Sequence, residues 1–238
     1  MSNKPRILFL DIETKPMLAY AWRAYDENIT PDQIIDKGGL LCFGAKFLDE
    51  DSYYFFSEWE DGHEDMVDAA YALISEADAV VTYNGDRFDL PKLMGEFILE
   101  GYAPPPPVTS IDVYKTVRKL GLPINKLVFA APLLGAGEKT SNEGFMLWRK
   151  VMEEDPKARK QMEKYCIRDV AILARLYKII RPYIKNHPHL REEGPDVCGA
   201  CGSTHVHSRG FRRTRAYKIQ RLQCQTCGSW QDGKRSKV

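Results

Sequence analysis

Four apolar residues at positions 7–10 run without interruption into Asp11, and Ile12 and Glu13 then alternate apolar and polar. A run of that length predicts a buried strand, on which residues two apart share a face, roughly 6–7 Å from each other. Asp11 and Glu13 are then two like charges on one side of the strand's end. Either they lie past it in water, or a divalent cation offsets their repulsion. Residues 15–39 carry Tyr20, Trp22 and Tyr25, for which core or lid packing is the commoner role and base stacking the alternative. Residues 40–48 and 52–59 read as two more strands around the acidic turn Asp49-Glu50-Asp51.

Asp61 and Glu64 have capping-box spacing and open a helix with Met66, Val67, Ala70, Leu73 and Ile74 on one face. Residues 79–83 predict a strand and Asn84-Gly85-Asp86 a turn. A second helix starts at Asp89, where the helix dipole favours a carboxylate, with Leu90, Leu93, Met94, Phe97 and Ile98 as its apolar face. After a stiff proline run at 104–107 come a strand at 108–113, a short helix to about residue 120, and helices over 125–134 and 142–152. Asp155-Pro156 begin a long helix, with Asp as N-cap and Pro at the first helical position. Its stripe comprises Met162, Tyr165, Cys166, Asp169, Leu173, Leu176 and Ile180. Asp169 is a carboxylate on the face meant for burial, and Tyr165 lies one turn before it. A buried Asp–Tyr hydrogen bond and a metal ligand both fit. The alternation of strands and helices predicts an α/β sheet with helices packed against it.

With 238 residues, 44% of them hydrophobic, the chain can build one sizeable core and a small appendage. No apolar run is long enough to cross a bilayer and no signal-peptide pattern is present, so a cytoplasmic protein (bacterial or viral-host cytosol) with no membrane partner is expected. The net charge of +1 hides an asymmetry: from Arg191 onward ten Lys/Arg face four Asp/Glu, while the rest holds 24 basic and 29 acidic residues. An acidic body thus carries a basic tail suited to a polyanion. Residues 186–195, with Pro188, Gly194 and Pro195, read as the connection.

Asp11, Glu13, Asp89 and Asp169 supply a charge of −4, which two divalent cations balance. Hard ions such as Mg²⁺ or Mn²⁺ take oxygen ligands, and a close pair of them can clamp a phosphodiester. No Cys or His is placed among these acids, which argues against zinc hydrolysis in the body. Asp11-Ile12-Glu13-Thr14, then Asn84-Gly85-Asp86-Arg87-Phe88-Asp89, then Tyr165-Cys166-Ile167-Arg168-Asp169 resemble the three motifs of the DnaQ-like 3′–5′ exonucleases, over roughly residues 6–185. The Tyr-x-x-x-Asp form is that of the tyrosine (DEDDy) subgroup. The second motif is similar to that of the proofreading domains of family B DNA polymerases. The resemblance implies an RNase H-like mixed sheet flanked by helices. It also implies that Asp11 bridges two Mg²⁺ or Mn²⁺ ions, that Glu13 and Asp169 hold the ion that binds the attacking water, and that Asp89 supports the second. Tyr165 would orient that water, and Asn84 and Phe88 would position the 3′-terminal nucleotide; Phe88 fits a core role equally. Asp86 is read as solvated. No polymerase region is present, so proofreading would act in trans, beside a replication or repair polymerase.

Cys198-x-x-Cys201 and Cys224-x-x-Cys227 form a four-thiolate pattern for one structural Zn²⁺, a zinc ribbon. Between them Arg212, Arg213, Arg215 and Lys218 are interleaved with Phe211 and Tyr217, a combination for phosphate contact and base stacking; the bland alternative is that these charges solvate the ribbon. His205 and His207 are expected on the surface. The sequence therefore predicts a nuclease domain over 1–187, a linker over 188–196 and a nucleic-acid-binding zinc ribbon over 197–238. The expected activity is two-metal 3′–5′ exonuclease action on nucleic acid, single-stranded DNA favoured and RNA open. The alternatives are a non-catalytic nucleic-acid-binding adaptor and a structure-selective RNase H-like endonuclease.

Overall fold

The structure, a computed structural model, describes residues 5–140, 143–185, 187–188 and 197–238. The expected linker at 188–196 falls outside the described residues apart from Pro188. The apolar run opens β1 (Ile7–Lys15), which continues past both acids, so neither lies beyond a strand end. β2 (Leu18–Ala19) and β3 (Ile34–Asp36) form a small antiparallel pair. β4 (Gly39–Phe47) and β5 (Tyr54–Ser57) make the expected antiparallel meander. Then follow α1 (His63–Glu76), β6 (Ala79–Thr82), α2 (Asp89–Leu99), β7 (Thr109–Asp112) and α3 (Val113–Val117). α4 (Leu127–Leu133), α5 (Phe145–Met152) and α6 (Pro156–Ile180) complete the body.

The sheet order is β5-β4-β1-β6-β7, with β1 antiparallel to β4 and parallel to β6. β1 is thus the central strand of a mixed sheet, and its alternate residues serve two cores. Leu8, Leu10 and Ile12 pack with residues of α1 and α2. Ile7 and Phe9 pack with residues of α3, α4 and α6, the Phe9 and Tyr177 rings meeting edge to face at 5.4 Å. Asp11 and Glu13, in step with Ile7 and Phe9, therefore face α6.

Two local expectations fail for identifiable reasons. Asp61 does not cap α1, which starts at His63 behind Gly62; its carboxylate instead accepts the Ser57 N–H at 2.8 Å, holding the end of β5. On α2, Ile98 is 75% exposed, and the inner place goes to Glu96, whose carboxylate accepts the Leu40 N–H at 3.0 Å. A second sheet, β10-β9-β8, is built from β8 (Val206–Arg213), β9 (Tyr217–Cys224) and β10 (Trp230–Lys237). Among the described residues no helix is long and apolar enough to cross a membrane.

Candidate metal centre

Asp11 lies opposite Gly44 and Glu13 opposite Cys42 across the β1–β4 pair. Gly44 is what lets α6 close on this face: a Cβ there would stand 3.1 Å from Cys166 Sγ and 3.2 Å from Val170. Through that gap α6 brings Cys166 to 3.7 Å from the Asp11 carbonyl and, one turn on, Asp169 to the two strand acids. Asp11, Glu13 and Asp169 each offer a carboxylate oxygen, all within 4.8 Å of one another. As expected, no Cys or His stands among the clustered oxygens of the described residues; Cys166 lies behind Asp11, where it meets Cys42, and its sulphur is not part of the cluster.

Asp89 stands slightly apart. β6 pairs with β1 only as far as Phe9, and beyond it the Ile12 N–H donates to Asp89 Oδ1 at 3.2 Å. The start of α2 is set by the turn before it, where Asn84 adopts φ 68° and Gly85 sits against Thr82, so closely that a Cβ would come within 2.3 Å of the Thr82 side chain. Asn84 donates its N–H to Asp112, and Phe88 is 40% exposed, so it is not core. Asp86 is not merely solvated: Lys115 and Ser110 both donate to it. Tyr20, Trp22 and Tyr25 are 74%, 92% and 84% exposed, which rules out core packing for them.

The residue that sequence reasoning missed is Lys139. Its Nζ lies 2.6 Å from Asp169 Oδ2 and 3.1 Å from the Tyr165 hydroxyl, so it occupies the cationic position among the acids. It sits in an irregular segment before α5, where neither periodicity nor motif spacing singles out a lysine.

Burial drives the electrostatics. It lifts the Asp11 carboxyl well above its usual range, with Glu13, Asp89 and Asp169 adding repulsion. Burial and then Asp169 push Glu13 up to about 8. Asp89 is raised to about 7 by burial, which outweighs the opposing pull of the Ile12 and Asp89 N–H groups. Asp169 is raised by burial and pulled back by Lys139. Burial and the Asp169 charge push Tyr165 up to about 12. For Lys139, burial works to lower its pKa, but the facing Asp169 charge leaves it raised.

Raised carboxyls mean that the folded, metal-free protein holds protons that the unfolded chain has released above about pH 4. Its stability is therefore expected to fall as pH rises from about 4 through about 8, where Asp89 and Glu13 lose their protons. Saturating Mn²⁺ should remove most of that slope. Thermal melts in EDTA and in Mn²⁺ across this range check it; a metal-free melting temperature that rises from pH 5 to 8 would contradict the account.

The acids pass a test for divalent cations. They are carboxylate oxygens, as Mg²⁺ and Mn²⁺ prefer, and Asp169 Oδ1 is buried with no donor in hydrogen-bond geometry, although the Tyr165 hydroxyl is close enough to favour its charged form. The cysteines pass a different one. All four are free thiols whose Sγ atoms lie within 4.8 Å of one another, with Cys198–Cys227 and Cys201–Cys224 each at 3.6 Å. Sulphurs about 2.3 Å from a tetrahedral zinc would be about 3.8 Å apart. The two Cys-x-x-Cys turns match: the Gly202 N–H reaches the Cys198 carbonyl and the Gly228 N–H the Cys224 carbonyl. The four-cysteine cluster is thus compatible with a zinc ribbon. On its hairpin Arg213 and Arg215 are exposed, as are His205 and His207. Arg212 is instead paired with Asp232 at 2.6 Å, and Lys218 Nζ sits 4.2 Å from the Phe211 ring centre.

A family model described as the RNase H superfamily matches residues 34–181. Among solved structures, the family B DNA polymerase from the hyperthermophilic archaeon Pyrobaculum calidifontis is similar in fold, with a TM-score of 0.57 at 16% identity. The likeness covers 75% of this chain and 25% of the polymerase, so the chain spans about a quarter of that protein's length. No curated protein matches the chain in sequence.

Proposed function

The chain belongs to the RNase H superfamily, and on that premise we propose that it is a metal-dependent 3′–5′ exonuclease that hydrolyses phosphodiester bonds at the 3′ end of nucleic acid. The observation that carries this reading is the convergence of Asp11, Glu13 and Asp169, each with a carboxylate oxygen within 4.8 Å of the others. Asp11, Glu13 and Asp169 would hold the cations, with Asp89 supporting the second position. Two Mg²⁺ or Mn²⁺ ions supply, when bound, the charge that activates a water and stabilises the departing oxygen.

The chain's own residues do the rest. Tyr165, with its proton held to about pH 12, stays a hydroxyl at neutral pH and orients the water by hydrogen bonding rather than abstracting its proton. Lys139, paired with Asp169 and 3.1 Å from the Tyr165 hydroxyl, would carry a positive charge at the site where a phosphate oxygen can meet it. Phe88, exposed at the start of α2, would stack on the terminal base, and Asn84 would help position the same nucleotide.

We assign the nuclease to 1–187, a linker to 188–196 and a zinc-holding ribbon to 197–238, with Arg213, Arg215 and Lys218 as phosphate contacts; the ion pair with Asp232 weakens the case for Arg212. Free cysteines throughout suit the reducing cytoplasm. Single-stranded DNA is the favoured substrate, RNA the second, and any proofreading would serve a replication or repair polymerase in trans. An adaptor without catalysis has no need of a cluster whose mutual repulsion destabilises the fold.

On 5′-labelled single-stranded DNA and RNA with Mg²⁺ or Mn²⁺, the expected product is a ladder shortening from the 3′ end. Internal cuts alone would favour the endonuclease, and no cleavage with either metal would end the proposal. Tyr165→Phe should slow the ladder by roughly tenfold, the scale of one hydrogen bond to the water.

A further inference from the structure

We propose that Phe145 and Trp148, in the first turn of α5, form a nucleobase platform beside the acid cluster. The inference rests on the hydrolytic reading above and specifies which side of the site receives the strand. An open groove of about 490 Å³ is lined by Thr14, Pro16, Gly144, Phe145, Trp148 and Tyr165. Two of its walls are continuous with the metal centre. Thr14 directly follows Glu13 on β1, and Tyr165 shares Lys139 with Asp169. The Trp148 ring stands against Tyr165 at 5.9 Å and 75°, so Trp148 is held by the same side chain that reaches the acids.

Phe145 is 66% exposed, while Leu147 and Val151 on the same helix are buried against β4. Helix packing therefore accounts for α5 without Phe145, whose ring is left at the mouth of the groove. None of the six lining residues carries a charge. A base can enter without stranding a buried ion, and the polyanionic backbone meets no carboxylate there. The cavity of about 250 Å³ that Lys15 helps to line is unlike it: Lys15 and Glu58 form an ion pair there at 2.7 Å, beside Glu154 and Arg159. The occupant fitted by the groove is one base of the strand whose phosphate lies at the acids, since base and phosphate are joined through a single sugar. Stacking accepts any base but requires it to be unpaired and turned out from its neighbours, so the platform selects strand state rather than sequence.

The test scans a single abasic nucleotide through the last three positions of a 5′-labelled oligonucleotide, using wild type and Phe145→Ala. One position should slow wild-type degradation by roughly 5- to 150-fold, the range expected when one base stack is removed. Phe145→Ala should slow the intact strand and show no additional slowing on the strand abasic at that position. In parallel, 2-aminopurine at that position should change its fluorescence on binding wild type in Ca²⁺, and much less with Phe145→Ala. Identical scans and identical fluorescence changes for the two proteins would overturn the platform. If wild type shortens no strand, the exonuclease reading fails, and the fluorescence comparison still decides the platform.

Discussion

Asp11→Asn should lower phosphodiester hydrolysis by roughly a thousandfold or more while making the metal-free protein more stable. The two signs come from one cause. Asp11 lies among Glu13, Asp89 and Asp169, each of which adds to the repulsion that burial already imposes on its charge. Removing that charge relieves the fold, by about 1–2 kcal/mol at pH 8, the usual scale of such stabilising changes. It also removes one of the three clustered acids that would hold the cations. Their stabilisation of transition-state charge is worth several kcal/mol, and each 1.36 kcal/mol is a factor of ten in rate. Asp169→Asn should be equally inactive but destabilising, because it strands Lys139, whose Nζ lies 2.6 Å from the Asp169 carboxylate. Melts in EDTA at pH 8 and single-turnover rates in Mn²⁺ separate the cases. A rate for Asp11→Asn within tenfold of wild type would move the chemistry elsewhere, and equal stability changes in the two variants would refute the counter-ion role of Lys139.

That contrast marks where sequence reasoning reached and where it stopped. The strand–helix order, the buried acidic strand and the inward face of α6 follow from period-2 and period-3.6 patterns, which persist in any packing. The convergence of Asp11, Glu13 and Asp169 was legible because two of them share a strand face and the third breaks an apolar stripe. Lys139 was not, because a loop has no period and its meaning comes only from what folds against it. The same holds for Asp61, whose carboxylate leaves its expected capping role to satisfy the Ser57 N–H, and for Glu96, which takes the inner place expected for Ile98 because its carboxylate satisfies the Leu40 N–H. Buried backbone donors are costly to leave unpaired, so such tertiary bonds override local capping signals. Arg212 shows the converse: it reads as a free cation in sequence, and Asp232 from the third strand of the ribbon claims it.

Removing zinc should unfold the ribbon and leave the body intact. In the three-stranded sheet Ile219 and Leu222 are the large apolar residues buried among those described, beside Ala200 and the cysteines. Each contributes about 1.5–3 kcal/mol on burial. Four thiolates closing on zinc contribute about 10–16 kcal/mol of binding free energy, which is folding energy when the site does not exist in the unfolded chain. The body has its own sheet and cores on both faces, none of which uses a cysteine of the tail. A zinc-selective chelator should therefore open residues 197–238 to trypsin at Arg213, Arg215 and Lys218, while the cores around β1 and α6 keep their hydrogen-exchange protection. Cys201→Ser should do the same without chelator. Affinity for single-stranded DNA should fall, and its salt dependence should flatten by roughly 0.7 in log–log slope for each phosphate that the ribbon no longer neutralises. Cleavage of short oligonucleotides should persist, since their reacting phosphate is held by the acids of the body. A ribbon that stays protected without zinc would show that its small core suffices. An unchanged salt slope would show that the exposed arginines solvate the hairpin and touch no phosphate.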